Sequence, residues 1–459
     1  MISGVYIMNS IKIDMTDRIP PFLLKAARYV EKMLMENGFE VFLVGGSVRD
    51  LVLNRKISDL DFTTNAHPEQ IKKIFPKTIP VGEEFGTILV LFQRHPVEVT
   101  TYRNDGLYKD GRRPDSVVFG QSLKEDVLRR DFTINGMAYQ ISQKLLIDYV
   151  DGRKDIEAGI IRTIGNPMER FQEDGLRPIR GCRMMANLGF VFDPETQSAM
   201  NQNTDVIAKV APERFYDEWK KTLKIQHKHN YWNALKKSGI FNIFFPDFQH
   251  LNHNETRWNN LMQAIEHSMP RKMGIYMAHF FYQEFCDDNF FVIANNTELN
   301  ILMKSFFQRN RFPLKTQKLC TNLLFSPLLS ALDNWEPSHE NNVLIKTSLS
   351  KINQEEWMHH VRFIKEILYS HYIQTPLLKR KSTQYHFILN QMIKTIRQYK
   401  HGKFVLYLNE LNINGNDLMK LGLQGKDIGN YLKNALDYVI YNPDKNNLED
   451  LHLFIKNYS

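Results

Sequence analysis

The chain has 459 residues, of which 43% are hydrophobic and 24% charged, an ordinary globular composition that excludes disorder as the main state. Its length is enough for about two to four domains, each with a sizeable core. The 59 basic and 51 acidic residues leave a net charge of +8, a mild excess that permits a polyanionic partner without demonstrating one.

Strand and helix patterns alternate through the first 165 residues. A helical pattern at 21–38 ends near Gly38, and the short apolar run Val41 to Val44 is typical of a buried strand. A glycine pair follows this run and precedes a helix predicted from Val48. Further strands are predicted at 60–63, 87–92, 97–101, 116–119 and 145–150, and further helices at 67–75 and after the capping-box pattern at 122–125. The alternation predicts one α/β domain.

From Asn166 onward the chain shows helical periodicity and few strand patterns, which predicts a mostly α-helical remainder. Two tracts of this part carry basic residues without acidic neighbours. They are Lys304, Arg309, Arg311, Lys315 and Lys318, and Lys379, Arg380, Lys381, Lys394, Arg397, Lys400 and Lys403. Such tracts are solvated surfaces or polyanion-binding surfaces.

Three features bear on the compartment. Cys182, Cys286 and Cys320 stand far apart, which argues against a disulfide framework or a cysteine zinc site. The sequence contains no apolar run of about 18 residues, so no membrane-spanning helix is predicted. Residues 1–20 lack the basic and then apolar pattern of a signal peptide. We therefore expect a cytoplasmic protein in a reducing environment.

Three carboxylates are candidates for a metal site. Asp59 and Asp61 flank Leu60 in a predicted strand, so both would project from one face of it. Two carboxylates on one face repel each other unless a cation lies between them, and their hard oxygen ligands suit Mg²⁺. The apolar neighbours of Glu98, Val97 and Val99, are expected to face the core, which leaves Glu98 on the other face of its strand. Taken alone, the D-x-D is more typical of a solvated strand end or turn, and Glu98 could equally be an exposed strand position.

A glycine pair upstream of these carboxylates is a candidate phosphate site. Gly45 and Gly46 join a strand to a helix, where backbone N–H groups can approach a phosphate closely. Ser47 would add a hydroxyl and Arg49 a cationic fork. Without the carboxylates, this segment is more typical of a simple turn.

In combination, the glycine pair, the D-x-D and the strand carboxylate resemble the DNA polymerase beta nucleotidyltransferase superfamily. The resemblance is closer to its class II branch of tRNA CCA-adding enzymes and bacterial poly(A) polymerases. Five segments carry it, at 43–50, 58–65, 110–116, 129–135 and 173–183. It implies an α+β fold, with a polymerase-beta-like α/β head followed by an all-α neck, body and tail. We expect the head at 1–165, the neck at 166–230, the body at 231–365 and the tail at 366–459.

The resemblance also implies roles for particular residues. Asp59 and Asp61 would be catalytic and hold two Mg²⁺ ions, with Glu98 as a third catalytic ligand near the primer end. Nucleotide binding would fall on Gly45, Gly46, Ser47, Arg49, Arg130, Asp174, Arg177, Arg180 and Arg183.

Base selection is expected to rest on Asp174 and Arg177. They stand at i and i+3 in Glu173-Asp174-Gly175-Leu176-Arg177 and would share a helix face. Together they offer acceptors and donors for the edges of cytosine and adenine, although a surface salt bridge has the same spacing. If Asp174 caps this helix, Pro178 falls at the fourth helical position and removes the first intrahelical hydrogen bond.

Within the family, the sequence favours addition of CCA to tRNA from CTP and ATP. Residues 84–90 resemble the CCA-type strand, and residues 105–115 resemble the flexible loop of CCA-adding enzymes, which we expect to control the change from C to A. The basic helices are expected to hold the tRNA by its phosphates. Alternatives are a poly(A) polymerase or A-adding enzyme and, more remotely, a non-catalytic RNA-binding protein.

Overall fold

The computed structural model describes residues 10–105, 117–120, 122–267, 272–286, 297–333, 340–372 and 376–458. The chain divides into two compact units, Met1–Pro246 and Asp247–Ser459. The first unit contains the predicted head and neck and the beginning of the predicted body. The predicted head, neck, body and tail boundaries stay a prediction, and the loop residues 110–113 lie outside the described residues.

The predicted α+β fold is confirmed, since the described strands all fall in the first unit and helices make up the second. The strands are β1 Ser10–Lys12, β2 Val41–Val44, β3 Asp61–Thr64, β4 Thr78–Ile79, β5 Thr87–Phe92, β6 His95–Thr101, β7 Arg103–Asp105, β8 Val117–Phe119, β9 Met137–Gln140, β10 Leu145–Asp148, β11 Ile160–Ile161 and β12 Val191–Phe192. Eight of them form one sheet in the order β1-β10-β9-β2-β3-β6-β5-β4. Within this sheet β3 and β6 run parallel, and the other neighbours run antiparallel.

Helices cover the sheet and form the rest of the first unit. They are α1 Pro21–Glu36, α2 Gly46–Val52, α3 Pro68–Ile74, α4 Leu123–Leu128, α5 Gly152–Ala158, α6 Pro167–Glu173, α7 Leu176–Leu188, α8 Pro194–Gln202, α9 Thr204–Ile207, α10 Pro212–Thr222, α11 Lys228–Lys237 and α12 Ile240–Phe244. The central strand β2 is buried at all four positions, as its uninterrupted apolar sequence predicts. Helix α1 begins with a proline at its first position and buries Leu23, Val30 and Leu34 on one face.

The second unit is all helical in its described residues. Its helices are α13 Gln249–His253, α14 Glu255–His267, α15 Met273–Phe285, α16 Thr297–Arg309, α17 Leu314–Leu324, α18 Pro327–Asp333, α19 Glu340–Ser350, α20 Trp357–Tyr372, α21 Pro376–Lys400, α22 Gly415–Lys420, α23 Lys426–Tyr441 and α24 Leu448–Tyr458. Apolar residues of α22, α23 and α24 form one core cluster, including Leu418, Val439 and Leu451. None of the described helices has the length and hydropathy of a membrane span.

Helix α7 carries the predicted base-selecting segment and is the centre of the helical part of the first unit. It packs against α10 and α11. Asp174 is not the cap of this helix, which begins at Leu176 with Gly175 as its cap. Pro178 is thus the third helical residue, whose N–H has no intrahelical partner in any helix, so it removes no hydrogen bond. A Cβ at Gly175 would lie 2.6 Å from the carbonyl oxygen of Val206, which requires glycine there.

Candidate active site

Three carboxylates meet where the parallel strands β3 and β6 lie side by side. Asp61 is the first residue of β3 and is paired in register with Glu98 of β6, so both side chains share one face of the sheet. Asp59 is exposed and lies two residues before the strand, rather than in it as the sequence suggested. Its charge raises the pKa of both other carboxyls, so all three are close in space.

Crowding of negative charge is visible in the pKa of Asp61, which rises from 3.8 to about 7. Burial is the largest cause, and the charges of Glu98 and Asp59 add to it, while Arg130 opposes it. The pKa of Glu98 is also raised, mainly by burial, against the opposing charge of Arg103. Carboxylates in this arrangement are stabilised by a cation between them, so the donor set fits a hard divalent metal ion.

The glycine turn lies directly beside this carboxylate cluster. Gly45 has φ of +70°, a conformation that favours glycine, and a Cβ there would lie 3.5 Å from Nη1 of Arg130. Gly46 begins α2, so the turn leads into a helix N-terminus as predicted. The buried hydroxyl of Ser47 donates to the backbone carbonyl of Asp59 at 3.2 Å. Ser47 therefore ties the turn to the segment that carries the carboxylates.

Arg49 is bound within the head. Its Nη1 donates to Oδ1 of Asn135 at 3.0 Å, and its Nε donates to Oδ1 of Asp50 at 2.9 Å. Only 11% of its side chain is exposed. Asn135 and Asp50 therefore hold Arg49 next to the turn, and its predicted phosphate contact stays a prediction.

Arg129 and Arg130 share one fully buried carboxylate, that of Asp126, to which the sequence analysis gives no role. Asp126 lies one helical turn before them in α4, and its two oxygens accept from Nη2 of Arg129 at 2.5 Å and Nη2 of Arg130 at 2.9 Å. Burial alone would raise the pKa of Asp126, but the charges of Arg130 and Arg129 outweigh it and hold this pKa below 3.8. Asp126 thus holds both guanidinium groups at the edge of the glycine turn.

Asp131 connects the head to helix α7. Its Oδ1 accepts from the amide of Asn135 at 3.2 Å, and its Oδ2 pairs with Nη2 of Arg180 at 2.8 Å. Since Asn135 also accepts from Arg49, hydrogen bonds run from the glycine-turn helix to α7. About 40% of the Arg180 side chain is exposed, so it is paired at one end and open to the site.

The predicted Asp174–Arg177 pair is held by other partners. Oδ2 of Asp174 accepts from Nη2 of Arg214 in α10 at 2.9 Å, and its Oδ1 accepts from the backbone of Leu176 at 3.0 Å. Arg177, which is buried, donates through Nη1 to Oε2 of Glu173 at 2.5 Å and through Nη2 to the carbonyl of Arg129 at 3.2 Å. Glu173 and Arg214 thus fix the two residues expected to select the base.

These side chains converge on one cavity of about 380 Å³ between the sheet and α7. Its lining is Val44, Gly45, Gly46, Asp61, Phe62, Thr87, Glu98, Thr100, Arg103, Arg129, Arg130, Asp131, Asn135, Asp174, Arg177 and Arg180. Ser47, Arg49, Asp59 and Arg183 are not part of the lining. Nε of Arg183 pairs with Oε2 of Glu218 in α10 at 2.6 Å, and its predicted role in nucleotide binding stays a prediction.

Comparison with known proteins gives matches to the same part of the chain. Residues 41–162 match the family described as "Poly A polymerase head domain", and residues 189–251 match "Probable RNA and SrmB- binding site of polymerase A". A CCA-adding enzyme of Lactobacillus johnsonii is 46% identical over 201 residues, which are 44% of this chain and 50% of that relative. One of Staphylococcus aureus is 45% identical over 233 residues, or 51% of this chain and 58% of that relative. The chain thus spans about half the length of these curated relatives.

Solved structures match along nearly the whole chain. The Bacillus stearothermophilus CCA-adding enzyme in complex with CTP is 26% identical, with a TM-score of 0.73, over 96% of this chain and 98% of that one. The chain is therefore similar to CCA-adding enzymes in sequence over about half of its length and in fold over nearly its whole length. The Thermotoga maritima CCA-adding enzyme complexed with tRNA covers 98% of this chain with a TM-score of 0.66, and at 19% identity it shows the shared fold.

Three residues of the candidate site were assigned no role from the sequence. Asp126, Glu173 and Arg214 act through ion pairs, and Arg214 stands 40 residues from the carboxylate that it holds. Only Asp126 and Glu173 could have been found, because each lies three or four residues from its arginine on a helix or at its end.

Proposed function

We propose that this protein adds the 3′-terminal CCA to tRNA, using CTP and ATP and releasing pyrophosphate. The observation that carries the proposal is the single cavity in which Asp61 and Glu98 face a glycine turn and a set of arginines. Nucleotidyl transfer requires carboxylates that bind metal ions and, beside them, hydrogen-bond donors that bind the triphosphate. The CTP complex of the similar Bacillus stearothermophilus enzyme agrees with a nucleotide in this cavity.

The triphosphate is assigned to the glycine-turn side of the cavity. Helix α2 begins at Gly46, so the backbone N–H groups of its first turn have no partner within the helix, and Nη1 of Arg130 lies 3.5 Å from the position that a Cβ of Gly45 would occupy. Asp126 keeps Arg130 in this place. Arg180, partly exposed and paired with Asp131, adds positive charge from α7.

Base selection is assigned to Asp174 and Arg177. Cytosine and adenine each carry an exocyclic amine, which donates a hydrogen bond to Asp174. Each also carries a ring nitrogen that accepts a hydrogen bond from Arg177. Arg214 and Glu173 fix the orientation of these two groups before a nucleotide binds. A rigid amino-acid template replaces a nucleic-acid template in this scheme.

A divalent metal, which we propose to be Mg²⁺, would be held by Asp59, Asp61 and Glu98. When bound, it would lower the pKa of the tRNA 3′-hydroxyl and stabilise the charge of the leaving pyrophosphate. The protein's own residues orient the reactants: the hydroxyl oxygen forms a bond to the α-phosphorus, the bond to the β-phosphate oxygen breaks, and the proton passes to water. The cytoplasm, where tRNA, CTP and ATP occur together, is the proposed location.

Incubating the pure protein with tRNAs that lack none, one, two or all three terminal nucleotides tests the proposal. CTP and ATP are supplied separately and together, and product lengths are read on a sequencing gel. Addition that stops at CCA supports the proposal. Continued addition of A would instead show a poly(A) polymerase, addition of A alone an A-adding enzyme, and no product a non-catalytic RNA-binding protein.

A further inference from the structure

The cavity has a second polar wall, on the side away from the glycine turn. Thr87 of β5 and Thr100 of β6 are register partners, and their hydroxyl oxygens lie 3.1 Å apart. Thr100 follows Glu98 by two residues on the same strand, so the hydroxyl pair shares the face that carries the carboxylates. Arg103, the first residue of β7, also lines the cavity.

Arg103 differs from the other arginines of the cavity lining in where it is attached. Arg129, Arg130, Arg177 and Arg180 bind carboxylates or carbonyls at residues 126–173. Nη1 of Arg103 donates to the carbonyl of Phe85, next to the start of β5, at 3.0 Å. Arg103 and Glu98 both line the cavity. The cavity therefore has positive charge on both sides of the carboxylate cluster.

The order of the strands decides which reactant each side can take. The glycine turn follows β2, the carboxylates lie on β3 and β6, and Thr87 lies on β5, in the order β2-β3-β6-β5. At about 4.8 Å per strand, the turn and Thr87 are about 14 Å apart. Attack on the α-phosphorus is in line, with the attacking and leaving oxygens on opposite sides. If pyrophosphate leaves toward the glycine turn, the 3′-hydroxyl must approach from the β5 side.

We propose that Arg103, Thr87 and Thr100 form an acceptor subsite that binds the 3′-terminal nucleotide of the RNA. Arg103 binds the phosphate that precedes the terminal ribose, because a guanidinium can form paired hydrogen bonds to a phosphodiester. Its positive charge also offsets the repulsion between this phosphate and the carboxylate of Glu98. The two threonine hydroxyls bind the ribose 2′-hydroxyl, since each can both donate and accept. This subsite rests on the proposed nucleotidyl transfer to RNA and adds the residues that position its acceptor.

The test uses the full-length protein and tRNAs lacking only the terminal A, ending either in ribose or in 2′-deoxyribose. For Arg103→Gln, we expect KM for tRNA to rise about 10- to 100-fold, the effect of one charged hydrogen bond, and Kd for ATP by calorimetry to change less than about twofold. Arg103→Lys, which keeps the charge, should fall between. Arg153→Gln, on an exposed helix of the same unit, is the control.

The threonines are tested by Thr87→Val and Thr100→Val, which keep shape and remove the hydroxyls. We expect each variant to lose activity on the ribose-ended tRNA. The ratio of its activity on ribose-ended to deoxyribose-ended tRNA should therefore be smaller than that of the parent. An equal loss on both tRNAs, or an unchanged KM in Arg103→Gln, overturns the subsite while leaving nucleotide addition intact. A parent protein that extends no tRNA contradicts the proposed function itself, so the two failures are distinguishable.

Discussion

Nη2 of Arg214 donates a hydrogen bond to Oδ2 of Asp174 at 2.9 Å and thereby joins α10 to the segment that precedes α7. The same helix, α10, holds Arg183 of α7 through Glu218. Asp174 reaches the cavity, whereas Glu218 is buried in the packing of the two helices. The two ion pairs therefore have different consequences, because one fixes a cavity side chain and the other stabilises the helix pair.

We expect Arg214→Ala to weaken the preference for CTP and ATP over UTP and GTP. Asp174 would keep its backbone hydrogen bond but lose its fixed orientation, at a cost to discrimination of roughly 1–3 kcal/mol, or about 5- to 100-fold. The measurement is misincorporation of UTP and GTP into tRNA. Asp174→Ala should have the same effect, and the double variant should add little to it. A parental misincorporation rate in active Arg214→Ala would show that Arg214 is only a packing residue.

Asp61, the first residue of β3, is expected to be essential for nucleotide addition but not for RNA binding. Asp61→Asn keeps the shape and removes the charge that a divalent ion needs, so nucleotide addition should fall by at least about 100-fold. Affinity for tRNA should stay within about twofold, because phosphate contacts lie elsewhere. Filter binding with and without Mg²⁺ measures the second quantity. Asp17→Asn, at a position with 82% side-chain exposure, is the matched control. Near-parental turnover in Asp61→Asn would refute the metal assignment.

The fold was more predictable from the sequence than the site's internal bonds. Strands β2 and β5 have the predicted bounds, because uninterrupted apolar runs and β-branched residues mark them. Strand β9 was not predicted, since Met137–Gln140 has only four residues and shows no alternation of apolar and polar side chains. The cavity residues Asp61, Glu98 and Arg130 came from motifs, whereas Arg214 and Asp126 depend on contacts that only the folded chain defines.

Asp126 predicts how the fold responds to acid. Its pKa is held below 3.8 in the folded state, so the unfolded chain binds the proton more readily. The resulting stabilisation is complete above the unfolded value and is lost as pH falls through 3.8 and then through the folded value. Asp126→Asn should lower the free energy of unfolding by roughly 3–5 kcal/mol at pH 7, because two guanidinium groups lose a buried partner.

The check on Asp126 is urea unfolding between pH 7 and pH 3. The difference between parent and Asp126→Asn should shrink as pH falls below about 4, since the carboxylate of the unfolded parent chain then takes up a proton, which favours the unfolded state. Asp17→Asn, exposed and remote from this cluster, should track the parent at every pH. A difference between parent and Asp126→Asn that stays constant with pH would mean that the loss reflects packing rather than charge.

Helix α21 offers a described part of the second basic tract. Lys394, Arg397 and Lys400 are exposed and follow each other at three-residue steps, so they lie along neighbouring turns of one side. If tRNA phosphates bind there, each neutralised contact releases counterions and steepens the dependence of affinity on salt. A solvated basic surface would have no such effect.

Replacing Lys394, Arg397 and Lys400 together by Gln should raise Kd for tRNA and flatten the slope of log affinity against log salt by roughly 2 to 3, at about 0.7–0.9 for each lost contact. Removal of three exposed charges elsewhere, in Lys25→Gln, Lys32→Gln and Lys154→Gln, controls for net charge. Kd for CTP should be unchanged in both triple variants, because the cavity lining includes none of these residues. Equal slopes for the two triple variants would place the tRNA on another surface, with the tract from Lys304 to Lys318 as the next to test.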